Sequence, residues 1–297
     1  MALEYFVVDV FTDTPLKGNP LAVVMNTADL STERMQAIAR EFNLSETTFV
    51  ERRAAGVERA EGVRVRIFTT QEELNFAGHP TLGTASVLKQ KAPEVVVGDT
   101  VTLAENVGAI PVRFNGAGLY GEMTQRDPEF GAELDRAEVA LLAGLDVADL
   151  DPARPPQVVS TGTAFAIVAL RSAQALARLR VNQEQATPWL RERGARWFYV
   201  LGPTKIENAI GEPSWRARMQ FNGGEDPATG SAAGCAISYL VRHGAVASAG
   251  TIHVRQGVEM GRPSDLYLSA RTESARVTDV RVAGSTVFVA TGQLFQP

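Results

Sequence analysis

Asp226-Pro227-Ala228-Thr229-Gly230-Ser231-Ala232-Ala233-Gly234-Cys235-Ala236 is a loop of small residues running into an apolar helix. Asn75-Phe76-Ala77-Gly78-His79-Pro80-Thr81-Leu82-Gly83-Thr84-Ala85 has the same character. At a constant offset of 152 residues, Gly78 meets Gly230, His79 meets Ser231 and Glu73 meets Glu225. Upstream, Arg64-Val65-Arg66-Ile67 meets Arg216-Ala217-Arg218-Met219 in the same register. A repeat of half the chain length has to be recognised first, because missing it misreads the whole fold. The chain reads as a two-fold internal duplication with one helix-start loop per half.

Working outward, Val63–Phe68 alternates as a strand with Arg64 and Arg66 on one face, and a helix is expected from Pro80 to Lys89. Pro80 suits a first helical position, where a missing N–H costs nothing. That helix is small and apolar nearly all round, which suggests burial. Strands are expected at Tyr5–Phe11, Leu21–Met25 and Ser45–Val50, between 94 and 114, and at 119–124. Lys17-Gly18-Asn19-Pro20 reads as a turn. An amphipathic helix follows Ser31 as N-cap, with Met35, Ile38 and Phe42 on one face. Asp127-Pro128-Glu129-Phe130-Gly131 is the linker candidate. Beyond it, strands are expected at 157–161, 166–170, 197–201 and 215–220, a short helix after Ser172, and a helix starting at Thr187-Pro188. The second loop feeds a helix from Ala232 to Arg242, and strands fill most of the remainder. Each half thus has many strands around one internal apolar helix.

Two domains suit 297 residues. The boundaries expected are 1–125 and 126–297, with the strand in 284–297 left free to cross back to the first. A hydrophobic content of 45% with 21% charged residues reads as a globular protein. The net charge of −5 argues against nucleic acid and anionic membranes, which need clustered Lys and Arg. No run of some 18 apolar residues predicts a membrane span, and no basic n-region a signal peptide, so a cytoplasmic location is expected. The single cysteine, Cys235, excludes an intrachain disulfide and reads as a core residue. Three isolated histidines make a metal site improbable. The absence of G-x-G-x-x-G and Walker loops argues against nucleotide cofactors.

A helix start offers unpaired N–H groups and a partial positive charge, a natural seat for a carboxylate or oxyanion. Gly78-His79 and Gly230-Ser231 could face each other across a domain cleft in that role; alternatively, His79 and Ser231 are N-caps and the glycines only turns. Glu46 reads either as a general acid/base raised by partial burial or as a solvated strand-end carboxylate. Asp226 is a turn residue or the carboxylate of the second loop. His79 is a cap, a donor to substrate or a proton relay. His243 and His253 receive no role.

Gly18-Asn19-Pro20, Ser45-Glu46-Thr47, Ala77-Gly78-His79-Pro80-Thr81 and Glu225-Asp226-Pro227-Ala228-Thr229-Gly230-Ser231 resemble the signature stretches of the PhzF-like family, in order and over essentially the whole chain. The resemblance implies a diaminopimelate epimerase-like α/β (α+β) fold. That is two pseudo-symmetric domains, each with strands wrapped around a central helix, and an active site between them. It also implies an isomerase that needs no cofactor or metal and is often a homodimer, acting on a small anionic metabolite. In the founding reaction, a glutamate takes a proton from carbon 3 of trans-2,3-dihydro-3-hydroxyanthranilate and returns it elsewhere on the ring. By this resemblance Glu46 carries the proton, and His79, Asp226 and Ser231 complete the catalytic set. Ser45, Gly78, Gly230 and Asn19 hold substrate. Ala77 and Thr229 stand where related racemases carry two thiols, which argues against two-thiol chemistry. The alternatives are an epimerase or racemase of unknown substrate on the same fold, and a non-catalytic protein that binds a metabolite or a partner.

Overall fold

The computed structural model describes residues 2–207, 213–221 and 223–295. The chain packs into two units, Met1–Thr124 with Ala283–Pro297, and Gln125–Val282.

The first unit contains β1 (Ala2–Val10), β2 (Asn19–Val24), α1 (Thr32–Phe42), β3 (Glu46–Glu51), α2 (Ala55–Glu61) and β4 (Val63–Phe68). It continues with β5 (Glu73–Leu74), α3 (Gly78–Lys91), β6 (Thr100–Glu105), β7 (Gly108–Phe114) and β8 (Tyr120–Thr124). The end of the final strand of the chain, Arg276–Phe295, completes it and pairs with both β1 and β8. From that strand the pairing runs through β1, β2, β3, β4, β6 and β7 to β8, which closes a ring. Among the described residues of this unit, β2–β3 and β4–β6 pair in parallel. These two parallel steps need crossovers, which α1 and α3 supply.

Helix α3 packs on β1, β2, β3, β6, β7 and β8, and its residues 78–88 are all buried. An all-round small and apolar sequence makes this possible. A Cβ on Gly83 would come within 2.7 Å of Leu21 and Val10, so strand and helix approach to glycine distance. Helix α1 covers the other face of the strands with Met35, Ile38 and Ala39, against Val24, Phe49 and Phe68. Strands β2 and β3 are therefore buried on both faces, which explains the unbroken apolar run Leu21–Val24 of β2.

The second unit contains β9 (Glu129–Glu133), α4 (Arg136–Ala143), β10 (Gln157–Ser160), β11 (Ala164–Ala169), α5 (Gln183–Glu192) and β12 (Trp197–Glu207). After these come β13 (Pro213–Phe221), β14 (Gly224–Asp226), α6 (Gly230–Arg242), β15 (Thr251–Gln256) and β16 (Ser264–Glu273), and the final strand is β17. Pairing runs β9–β10–β11–β12–β13–β15–β16, with β11–β12 and β13–β15 parallel. This is the strand order of the first unit with the same alternation of sense. Helix α6 is buried from Gly230 to Val241, and α4 and α5 cover the outer face through Val139, Leu142, Ala186 and Leu190.

Several expectations are corrected. Asn19 and Pro20 open β2, and Gly18, at φ +66°, makes the turn. Glu129–Gly131 belong to strand β9, paired with β10, and not to a linker. Helix α5 begins at Gln183 with Asn182 as cap, so Pro188 lies inside it. Helices α2 and α4 were not anticipated. The first is short and has no side-chain cap; the second is announced by Asp135, which accepts from Ala137 N and Glu138 N.

Candidate active site

Both central helices begin two residues before their expected starts. Ala77 is the N-cap of α3, and Gly78, His79 and Pro80 are its first three residues. Thr229 is the N-cap of α6, and Gly230 and Ser231 are its first two. His79 and Ser231 are thus not caps, which removes that reading of the two loops. They sit at equivalent second positions, where an α-helix leaves its N–H groups without intrahelical acceptors.

In the first unit, the turn at Gly18 delivers Asn19 to the start of β2, and the parallel pairing with β3 sets Glu46 opposite Leu21. Asn19 and His79 are buried, and their Nδ2 and Nδ1 atoms are 3.1 Å apart. Nδ1 accepts from the amide, so the imidazole proton is on Nε2. That nitrogen is 3.4 Å from Glu46 Oε2. Burial pushes His79 down to about 3, so this is a neutral imidazole facing a carboxyl group and not an ion pair. The Glu46 side chain keeps 17% of its surface exposed and so reaches the solvent edge of the cluster. Asn19 is fully buried against the histidine. Ser45 is half-buried immediately before β3, and Gly78 is buried as the first residue of α3.

The sequence reading missed Glu105, at the end of β6. Thr81 Oγ1 is 2.7 Å from Ala77 O and 2.6 Å from Glu105 Oε1. Both of these oxygens accept, so Thr81 shares its one hydroxyl hydrogen between the Ala77 carbonyl and the Glu105 carboxyl group. Burial pushes Glu105 up to about 8, against the smaller opposing effects of Thr81 and Arg64. A neutral acid thus sits beneath the first turn of α3.

In the second unit, β14 ends on Asp226, which is buried. Asp226 Oδ2 accepts from Thr229 Oγ1 at 2.7 Å. Gln256 Nε2 donates to Asp226 O at 2.8 Å and to Thr229 Oγ1 at 2.9 Å. Gln256 Oε1 accepts from Thr229 N at 3.2 Å and from Tyr199 Oη at 3.1 Å. Gly257, at φ +74°, lets β15 press on this loop; a Cβ there would lie 2.7 Å from Pro227 O. Ser231 is buried, and Gly230 O accepts from Gln125 Nε2 at 2.9 Å.

The duplication is repeated in atomic detail. Arg66 grips Glu73 at 2.9 and 2.6 Å, and Arg218 grips Glu225 at 2.8 and 2.6 Å through the same nitrogens. Each clasp ties a hairpin that leads into a helix-start loop. Arg64 pairs with Ala104, and Arg216 with Arg255. The next residues, Glu105 and Gln256, are therefore equivalent, and each sends its side chain to the start of its unit's central helix. A pairwise comparison of the halves at offset 152 misses this match by one residue, since the register drifts between the helix and the following strand.

Cys235 is buried and pushed up to about 12, so it stays a core thiol. His253 is held between Ser214 and Asp265, and His243 contacts Gln157. Among the described residues, no three His, Cys, Asp or Glu side chains cluster as metal ligands would. Nor is any helix long and apolar enough to cross a membrane.

The family model described as phenazine biosynthesis-like protein, PhzC-PhzF, matches residues 8–292. The trans-2,3-dihydro-3-hydroxyanthranilate isomerase of Pseudomonas aeruginosa is 35% identical over 98% of this chain and 99% of its own. Among solved structures, a phenazine biosynthesis protein of the PhzF family from Bacillus anthracis superposes with a TM-score of 0.84 at 24% identity, covering 100% of both chains. A probable proline racemase from Agrobacterium radiobacter superposes with a TM-score of 0.61 at 11% identity, over 99% of this chain and 93% of that one. The last two likenesses bear on fold, which is of the diaminopimelate epimerase-like class.

Proposed function

Starting from the fact that the chain belongs to the phenazine biosynthesis-like PhzC-PhzF family, we propose that it is an isomerase that moves a proton between two carbons of a small carboxylated metabolite. Glu46 is the proton carrier. The observation that supports this most is the pairing of its partly exposed carboxyl group with the Nε2–H of a neutral, buried His79.

The carboxylate takes a proton from a C–H bond, the bonding pair becomes part of a shifted double bond, and the same group returns the proton to another carbon. No electrons leave the substrate, so neither an oxidant nor a reductant is required. One carboxyl group serves in turn as base and acid. His79 faces it with Nε2 at 3.4 Å and does not compete for the proton, because burial keeps the imidazole neutral. Within each unit the helix start, at Gly78 in the first and at Gly230 with Ser231 in the second, presents N–H or hydroxyl donors suited to an anionic group. With a net charge of −5, such local donors and not the field of the whole protein attract an anion.

Turnover of trans-2,3-dihydro-3-hydroxyanthranilate in deuterated water tests the reading, without added cofactor and in the presence of a chelator. Wild type should release product carrying deuterium. Glu46→Gln should lose at least about 100-fold in rate while remaining folded. A variant with near-native turnover would remove Glu46 from the mechanism.

A further inference from the structure

We propose that Thr229, Gln256 and Tyr199 are positioning residues, forming a one-way hydrogen-bond chain that holds Asp226 Oδ2 as an acceptor and so favours the ionised carboxylate. Direction in such a chain is usually ambiguous, because hydroxyls and amides both give and take. Here two backbone groups remove the ambiguity. Asp226 O can only accept, and it faces Gln256 Nε2. Thr229 N can only donate, and it faces Gln256 Oε1. Turning the amide over would set acceptor against acceptor and donor against donor.

The rest follows by counting hydrogens. The second hydrogen of Gln256 Nε2 occupies a lone pair of Thr229 Oγ1. The threonine hydrogen therefore points to Asp226 Oδ2. At the other end, Gln256 Oε1 is an acceptor, so the tyrosine hydroxyl donates to it. Tyr199 keeps its proton, since burial raises it and the charge of Asp226 adds to the effect. Each link is buried, and Gln256 and Tyr199 have no exposed surface. A satisfied buried network of this kind fixes one geometry. Its consequence is chemical: with a hydrogen already delivered to Oδ2, that oxygen is held as an acceptor, and the threonine donor favours the ionised form of Asp226.

The meaning for catalysis rests on the proposed isomerase reading; the chain itself can be tested without substrate. The carboxyl carbon of Asp226 is followed by ¹³C NMR in aspartate-labelled protein, with its signal identified by loss in Asp226→Asn. Thr229→Val removes the donor at nearly equal volume. It should raise the titration midpoint of Asp226 by about one pH unit, the scale of a lost charge-assisted hydrogen bond. Thr229→Ser keeps the donor and should keep the midpoint. Tyr199→Phe, a milder change should Thr229→Val fail to fold, should move the midpoint the same way by less. An unmoved midpoint in the folded variant, or an equal rise in Thr229→Ser, overturns the chain. In the deuterium assay Thr229→Val should lose at least about tenfold in kcat with KM nearly held, and Thr229→Ser should recover most of it. Absence of turnover by wild type would strike the isomerase reading alone, because the titration would still decide the chain.

Discussion

Glu105 shows how one buried side chain ties stability to pH. In the unfolded chain a glutamate titrates near 4.5; in the fold, burial holds Glu105 at about 8. The native state therefore binds one more proton than the unfolded state between those values. Stability contributed by the neutral acid is complete below pH 4.5 and is lost as pH rises through 8. Glu105→Gln keeps an acceptor for Thr81 and has no proton to lose. Its unfolding free energy, measured by denaturant titration at pH 5, 6.5 and 8, should gain on wild type by an amount on the order of a few kcal/mol over that range. Parallel curves for the two proteins would show that Glu105 is ionised in the fold. The single cationic influence on it is Arg64, which acts in the opposite direction and is outweighed.

For the helices, the space at each glycine decides the sign of a substitution. Alanine gains about 1 kcal/mol over glycine inside a helix. At Gly83 a Cβ would meet the fully buried Leu21 and Val10 at 2.7 Å. Valine is stiff at χ1 and cannot turn away cheaply. Overpacking costs about 1–3 kcal/mol and exceeds the gain. At Gly56 in α2 nothing lies within 4 Å. Thermal unfolding should therefore show Gly83→Ala destabilised and Gly56→Ala neutral or stabilised by up to about 1 kcal/mol. The same sign at both positions would contradict the packing described for α3. Helix α2 also carries Glu58, whose fully buried carboxylate accepts from Arg52 and from Arg53 N. That clip anchors a helix too short to be stable by propensity alone.

At the scale of the molecule, the chain end belongs to the unit in which the chain begins. Residues 286–295 of β17 pair with β1 from Ala2 to Val10. Deleting residues 283–297 would leave β1 without this neighbour and open the ring around α3. An exposed edge strand and an uncovered central helix should follow. Hydrogen exchange should show amides of β1, β2 and α3 losing protection, while α6 and β11 of the second unit keep theirs. Unchanged protection in β1 would mean that its pairing with β17 contributes little.

The sequence by itself determined the duplication and the two buried helices, because these depend on spacing and local composition; the Arg–Glu clasps between the matched positions came from the structure. Small residues at Gly78–Ala85 and Gly230–Ala236 allow helices to be enclosed, and Arg66, Glu73, Arg218 and Glu225 keep one register. It also singled out Glu46 and His79, through a resemblance and not through spacing, since 33 residues separate them. Tertiary structure alone decided that Asn19 sets the tautomer of His79, that Glu105 is a neutral acid and that Gln256 orients Asp226. Each of these roles depends on which donor faces which acceptor across strands distant in sequence, and burial then fixes the proton. Periodicity records which face of an element is buried; it does not record the partner found there.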